Sequence, residues 1–436
     1  MDPKSVSYLK LADERTVRKS KWINIFYFRQ SIVYKMKVSQ KIYTWTSALL
    51  LVCCSLIFPS CEKKEIRKAV ENRKTLFIYL PWSTDLTGYF YTNITDMEAC
   101  VSKKGLEHEK NLVFMSTSTT EATMFEIIYS KGKCERKTLK KYGNPRFTTV
   151  EGITGILNDV QEFAPAPVYT MIISSHGMGW LPADGTQARS LFQMKKHWEY
   201  QEQPMTRYFG GLTREFQTDV STLARGIIGA GIKMEYILFD DCYMSSVEVA
   251  YELKEATRFL IASTSEMMAY GMPYATVGEF LLGSPDYGSL CEGFYDFYST
   301  YEIMPCGTLA VTDCSELDNM ATIMKSINER YVFDDSLQGE LQELDGYTPV
   351  IFYDFADYVL TFCSDPVLKK RFREQLDRLV PYKTHTSKFY SRAKGILPIR
   401  TFSGITISDP STNPMTFRKV LPVGTRPHTD NPVEDK

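Results

Sequence analysis

Histidine is scarce in this chain, with five in 436 residues and no two at metal-ligand spacing. H-E-x-x-H and C-x-x-C are missing, which removes the usual sequence marks of a zinc site. Neither a P-loop nor a G-x-G-x-x-G turn is present, so no phosphate or dinucleotide cradle is announced. Charge of one sign is lacking as well. The 51 basic and 52 acidic residues leave a formal net charge of −1, which argues against nucleic acid as a partner and against a polybasic membrane patch. There is no internal repeat, and the apolar run near the N-terminus falls short of the ~20 residues that span a bilayer. What remains is an ordinary globular composition, 44% hydrophobic and 24% charged. The length suits roughly two to three domain equivalents, or one large embellished domain. It is enough to bury a core without disulfides.

The N-terminal region has the order of an export signal. From Met36, Lys37 and Lys41 form a basic start, Trp45 to Phe58 an apolar run, and Ser60-Cys61 a small residue before cysteine. This resembles a bacterial lipoprotein signal, which implies cleavage before Cys61 and a lipid on its thiol. Phe58 and Pro59 stand where small or aliphatic residues are commoner. A membrane anchor is the alternative. Residues 1–35 precede this signal and are basic without a clear period, so either translation begins at Met36 or a tail precedes a signal anchor.

Ten cysteines are present. Cys53 and Cys54 would leave with the signal and Cys61 would be acylated, so seven remain: Cys100, Cys134, Cys242, Cys291, Cys306, Cys314 and Cys363. An odd number leaves at least one thiol unpaired even in an oxidising compartment.

Past a charged linker (residues 62–74), short apolar runs alternate with helical patterns. TLFIYL (75–80), NLVFMSTS (111–118), VYTMIISS (168–175), YILF (236–239), FLIAS (259–263) and GTLAVTD (307–313) read as strands. Helical spacing appears at 151–164, around 219–230, and from Ser246. The expectation is an α/β three-layer sandwich with a mostly parallel central sheet. Helices, including 366–380, dominate from about Glu316 as a C-terminal subdomain, with a late strand at 404–409 and a polar, proline-rich tail. The expected organisation is 1–61 extension and signal, 62–74 linker, 75–315 main domain, 316–420 helical subdomain and 421–436 disordered tail.

In parallel sheets chemistry gathers at the carboxyl ends of strands. Two loops stand out there: SSHGMGW around His176 and DDCYMSS around Cys242. Strand alternation puts Asp240 and Cys242 on one side and turns Asp241 away. Ser245 and Glu248 have the S-x-x-E spacing of a capping box, which sets a helix start just beyond the thiol. That helix dipole favours thiolate while the two carboxylates oppose it. Read alone, Cys242 is better explained as a buried, inert thiol, and His176 as a structural histidine. Two converging loops, one carrying each, favour chemistry.

At these residues the chain resembles the clostripain family of cysteine peptidases, relatives of caspases, legumains and gingipains. The resemblance rests on SSHGMGW, on FDDCYMSSVEVAYEL and on IASTSEMMAYGMPY from Ile261, and covers about residues 75–313. Related sequences carry a small residue where Asp241 stands. The resemblance implies a caspase-like fold, Cys242 as nucleophile, His176 as acid–base, and an oxyanion site from the backbone N–H groups of Gly177 and Cys242. It implies that Asp240 lies in the pocket for the residue before the scissile bond and selects arginine or lysine. Calcium is the one cofactor the resemblance brings in.

The expected activity is a cysteine endopeptidase cutting peptide or protein substrates after Arg or Lys, exported and lipid-anchored in a bacterial cell envelope, periplasmic or surface-facing. A catalytically silent lipoprotein of the same fold, binding a peptide or protein partner, and a thiol-dependent transferase or ligase are the alternatives. Residues 182–211 interrupt the strand–helix alternation and read as an exposed excursion. Some relatives mature by cutting themselves in this region, which makes Arg189 and Lys196 candidate self-cleavage sites, equally well explained as solvated surface residues.

Overall fold

The computed structural model describes residues 72–106, 108–181 and 209–409. Near the middle of its sheet lies β1 (Lys74–Leu80), in which all seven residues are buried. An apolar run with no polar face must be covered on both sides, so it sits mid-sheet. β1 pairs in parallel with β2 (Glu109–Ser116) and with β5 (Val168–Ser174). The parallel core continues through β6 (Met234–Asp240) to β7 (Thr257–Ala262).

The edges are antiparallel. β3 (Glu121–Ser130) and β4 (Lys133–Gly143) extend the sheet beyond β2. At the other side β8 (Thr308–Asp313) pairs with β7. A two-residue strand β9 (Tyr353–Asp354) precedes β10 (Tyr382–His385), which pairs with β8. Among the described residues this gives a nine-stranded mixed sheet in the order β10-β8-β7-β6-β5-β1-β2-β3-β4. The expectation of a mostly parallel sheet holds for its five central strands, while four of the eight pairings are antiparallel. The β3–β4 hairpin was not expected. β4 is largely exposed and lysine-rich, the composition that protects an edge strand from pairing with another chain. Lys131 and Gly132 turn it with φ of 51° and 80°, the two positive values of a type I′ hairpin.

Helices flank the sheet in two groups. α1 (Thr87–Lys104) packs with the turn at Tyr274–Val277. α2 (Val150–Phe163), α3 (Val220–Gly229) and α4 (Val247–Leu253) pack side by side. α2 buries Ile153, Ile156, Leu157 and Val160, the stripe that its 3.6-residue period predicts. α5 (Tyr287–Thr300) lies beside β8 and β10. The C-terminal region adds α6 (Leu317–Asn328), α7 (Phe355–Phe362) and α8 (Pro366–Leu379), of which α6 and α8 pack together.

That region is not helical alone. Besides β10 it contributes a hairpin, β11 (Lys388–Ser391) with β12 (Gly395–Pro398), and β13 (Thr406–Ile407), which pairs with β9. All described residues belong to one compact unit. No helix among them is long and apolar enough to cross a membrane.

Candidate active site

β5 and β6 run in register, with Ser174 beside Asp240, so the loops after them leave the sheet together. Side-chain alternation then sorts the two carboxylates. Asp240 accepts hydrogen bonds from Ser174 Oγ at 3.0 Å, the Met272 backbone N–H at 2.7 Å and the Tyr274 hydroxyl at 3.3 Å. Asp241 turns to Ser175 instead, accepting its N–H at 2.5 Å and its hydroxyl at 3.1 Å. Cys242 Sγ accepts from the Met267 N–H at 3.3 Å. Asp240 and Cys242 therefore face one loop, residues 266–274, and Asp241 braces the other.

The histidine loop is pressed against the cysteine. A Cβ on Gly177 would lie 2.4 Å from the Cys242 carbonyl oxygen and 3.0 Å from its nitrogen, so only glycine allows this approach. The His176 N–H donates to Gly210 O at 3.2 Å, which ties the loop to the segment returning after residue 208. His176 and Cys242 are both buried, at 1% exposure. Ser174, Ser175 and Asp240 are buried beside them.

Tyr243, directly after Cys242, has φ of 61°. A bulky residue in the left-handed region is held there only by its surroundings. Its ring stacks on Phe352 and its hydroxyl donates to Glu266 Oε1 at 2.8 Å. Tyr347 approaches the same ring and donates its hydroxyl to Met178 Sδ at 3.7 Å, so one segment of the C-terminal region touches both loops.

The last described residues form a second brace. Ser245 Oγ donates to Gly404 O at 2.8 Å, and Thr406 N–H donates to Ser245 O at 3.0 Å. Trp180, four residues past His176, donates its indole N–H to Ser408 Oγ at 2.9 Å. Here the structure corrects the expected capping box. The cap of α4 is Ser246, which accepts from the Val249 N–H, while Glu248 accepts from the Ser408 N–H at 2.8 Å. Two adjacent serines made the spacing ambiguous, and the carboxylate serves the C-terminal strand rather than the helix end.

Asp85, in the loop after β1, was missed by sequence reasoning. Its carboxylate lies 2.7 Å from His176 Nε2. Burial pushes its carboxyl upward, but the hydrogen bond and charge of His176 outweigh this and hold it below the usual carboxylate range. No motif marks Asp85. The signal available was its position, in the loop at the carboxyl end of β1, a strand inside the parallel core.

Other cysteines have different surroundings. Burial pushes the Cys100 and Cys306 thiols up to about 11, and those of Cys291 and Cys314 up to about 12, which suits inert core positions. All seven described cysteines are free thiols. No group of three or more His, Cys, Asp or Glu among the described residues could hold a metal ion. Cys61, Arg189 and Lys196 lie outside the described residues.

A nine-stranded sheet with a cysteine and a histidine on adjacent strand ends invites comparison with known proteins. The clostripain family model, that of the C11 peptidases, matches residues 78–363. The chain belongs to the clostripain family. Iotapain, a secreted C11 cysteine protease from Bacteroides thetaiotaomicron, is 57% identical and superposes with a TM-score of 0.73. That match covers 80% of this chain and 96% of iotapain. An inactive zymogen of a C11 protease from Parabacteroides distasonis is 25% identical with a TM-score of 0.64, covering 77% of this chain and 91% of its own. A second secreted C11 protease from B. thetaiotaomicron, solved with an irreversible peptide inhibitor, shares the fold at 19% identity and a TM-score of 0.65, over 77% of this chain and 92% of its own. A search of curated proteins gave no match. This clostripain-family chain is a cysteine peptidase with the fold of those enzymes.

Proposed function

We propose that this peptidase is an exported, lipid-anchored endopeptidase that cuts after arginine or lysine, with Cys242 as nucleophile and His176 as acid–base. The observation that carries the reading is the shared environment of Asp240 and Cys242, both hydrogen-bonded to the 266–274 loop. A basic side chain reaching Asp240 brings its own carbonyl carbon toward Sγ. Ser174, the Met272 N–H and Tyr274 orient the carboxylate before substrate arrives, and a desolvated carboxylate facing a guanidinium is a strong charge-assisted pair.

The chemistry follows in two halves. His176 takes the proton of the Cys242 thiol, and the thiolate attacks the scissile carbonyl. The backbone N–H groups of Gly177 and Cys242 hold the oxyanion, which the contact between these residues favours. His176 gives its proton to the departing amine and leaves an acyl-enzyme. It then takes a proton from water, whose attack releases the acid and restores the thiol.

Export rests on the signal-like order ending at Cys61, and iotapain is described as secreted. Lipid anchoring rests on the cysteine after Ser60 alone. Activation by self-cleavage at Arg189 or Lys196 is supported by the zymogen form of the P. distasonis relative. It is also supported by the return of the intervening segment beside His176 at Gly210.

The test is hydrolysis of a fluorogenic peptide ending in arginine, with and without prior alkylation by iodoacetamide. The reading requires turnover that alkylation abolishes, with the adduct on Cys242 by mass spectrometry. Turnover that survives full alkylation of Cys242 would overturn it.

A further inference from the structure

We propose that Asp85 is a positioning residue that orients His176 and holds it as the imidazolium partner of the Cys242 thiolate. This rests on the proposed roles of His176 and Cys242, and deepens the site from a pair to an ordered trio. Three observations point the same way.

The first is contact. Asp85 Oδ1 lies 2.7 Å from His176 Nε2, with the imidazole almost wholly buried and the carboxylate 39% exposed. An imidazole that donates its Nε2–H to a carboxylate takes its next proton at Nδ1, so the bond selects a tautomer as well as a ring orientation. Proton transfer from Sγ to Nδ1 then produces an imidazolium whose new charge faces an ionised group already in place.

The second is backbone geometry. Thr84, immediately before Asp85, has φ of 58°. For a β-branched residue this is an outlier that the surroundings must impose. Strained residues of this kind cluster where a side chain has to be aimed. Tyr243, immediately after Cys242, is left-handed too. The β1 loop and the β6 loop thus each carry a left-handed non-glycine residue adjacent to a member of the trio. Thr84 is also tied to the segment returning beside His176, since the Leu212 N–H donates to its Oγ1 at 3.4 Å.

The third is charge. Arg392, in the β11–β12 turn, acts on Asp85 and helps keep it ionised. Glu266 is buried and accepts from the Arg392 N–H at 2.7 Å as well as from Tyr243. Asp240 is engaged by Ser174 and the 266–274 loop, and Asp241 by Ser175. Of these described carboxylates, the one within hydrogen-bond distance of the His176 ring is Asp85.

The experiment compares Asp85→Asn and Asp85→Glu with the wild type in the full, activated chain. Asparagine keeps the size and an acceptor oxygen but removes the charge, and glutamate restores it. Three readouts are taken: kcat and KM on an arginyl substrate, the pH dependence of Cys242 alkylation by iodoacetamide, and thermal melting. Asp85→Asn is expected to lower kcat by about 10²-fold or more while leaving KM within about threefold, the size of an acid–base contribution. The alkaline limb of its kcat/KM profile moves to lower pH, because an imidazolium without its counter-charge loses its proton sooner. Alkylation at neutral pH slows in parallel, and Asp85→Glu recovers part of both losses. The melting temperature stays near that of the wild type, since Asp85 is partly exposed. An Asp85→Asn enzyme with unchanged kcat and an unchanged alkylation profile overturns the proposal. So does a loss explained wholly by a lower melting temperature and not recovered by glutamate. Alkylation needs no substrate, so it still decides the role of Asp85 should arginyl peptides prove not to be substrates.

Discussion

Phe352 stacks on Tyr243 with ring centroids 5.3 Å apart and planes 15° apart. The same ring closes on the histidine loop, since a Cβ on Gly179 would come within 2.8 Å of Phe352 Cζ. Asp345 holds this phenylalanine in place by accepting its backbone N–H at 2.8 Å. One aromatic ring of the C-terminal region therefore supports both loops of the site.

Phe352→Ala should cost about 3–5 kcal/mol of stability, the usual range for a buried aromatic. It should also reduce kcat per titratable thiol, because the stack that holds Tyr243 left-handed is gone. Chemical denaturation and active-site titration separate the two effects. A destabilised variant with full kcat per active thiol would show that the turn after Cys242 holds its shape without the ring.

Two glycines give opposite expectations for one substitution. Gly155 is exposed in α2 and a Cβ there would meet nothing within 4 Å, so Gly155→Ala should stabilise the protein by up to about 1 kcal/mol. Gly177→Ala drives a methyl into the backbone of Cys242, and a displacement of reacting groups by about 1 Å costs about 10²-fold in rate. Thermal melts and kcat/KM on one arginyl substrate measure both. A fully active Gly177→Ala enzyme would contradict the close approach of the two loops.

Much of the site could be read from the sequence, for a physical reason. β1, β5, β6 and β7 are buried on both faces of a parallel core, so each appears as an unbroken apolar run, and the loops after β5 and β6 carry the histidine and the cysteine. The β3–β4 hairpin escaped because an edge strand such as KCERKTLKKYG is mostly solvated and has no apolar run to show. β10 escaped because Tyr382–His385 is four residues long and joins the sheet only through tertiary contact with β8. Asp85 was hidden because STDLTG reads as any polar turn, although the rule that drew attention to His176 and Cys242 applies equally to the end of β1. The role of the C-terminal segment in bracing Ser245 and Trp180 rests on contacts about 160 and 228 residues apart, which no local pattern encodes.

Maturation gives a third prediction. Purified wild-type protein should run as two fragments that stay associated through the sheet, with the new terminus after Arg189 or, second, Lys196. Cys242→Ala should remain one chain. N-terminal sequencing and denaturing electrophoresis decide it. A Cys242→Ala protein nicked identically in isolation, or a fully active wild type that never nicks, would rule out self-cleavage.

The central claim is that one strand end supplies both the nucleophile and the specificity acid, and a panel of matched substrates tests it most directly. Wild type, Asp240→Ala and Asp241→Ala are compared on peptides that differ only in having arginine, lysine or a neutral residue before the scissile bond. Asp240→Ala should lose arginine and lysine substrates by about 2–5 kcal/mol in kcat/KM relative to the neutral peptide, the usual cost of removing one partner from a desolvated charge pair. Asp241→Ala, whose carboxylate braces Ser175, should lower all three together. If Asp241→Ala instead shows the selective loss and Asp240→Ala lowers all three alike, the assignment of Asp240 as the specificity acid is wrong.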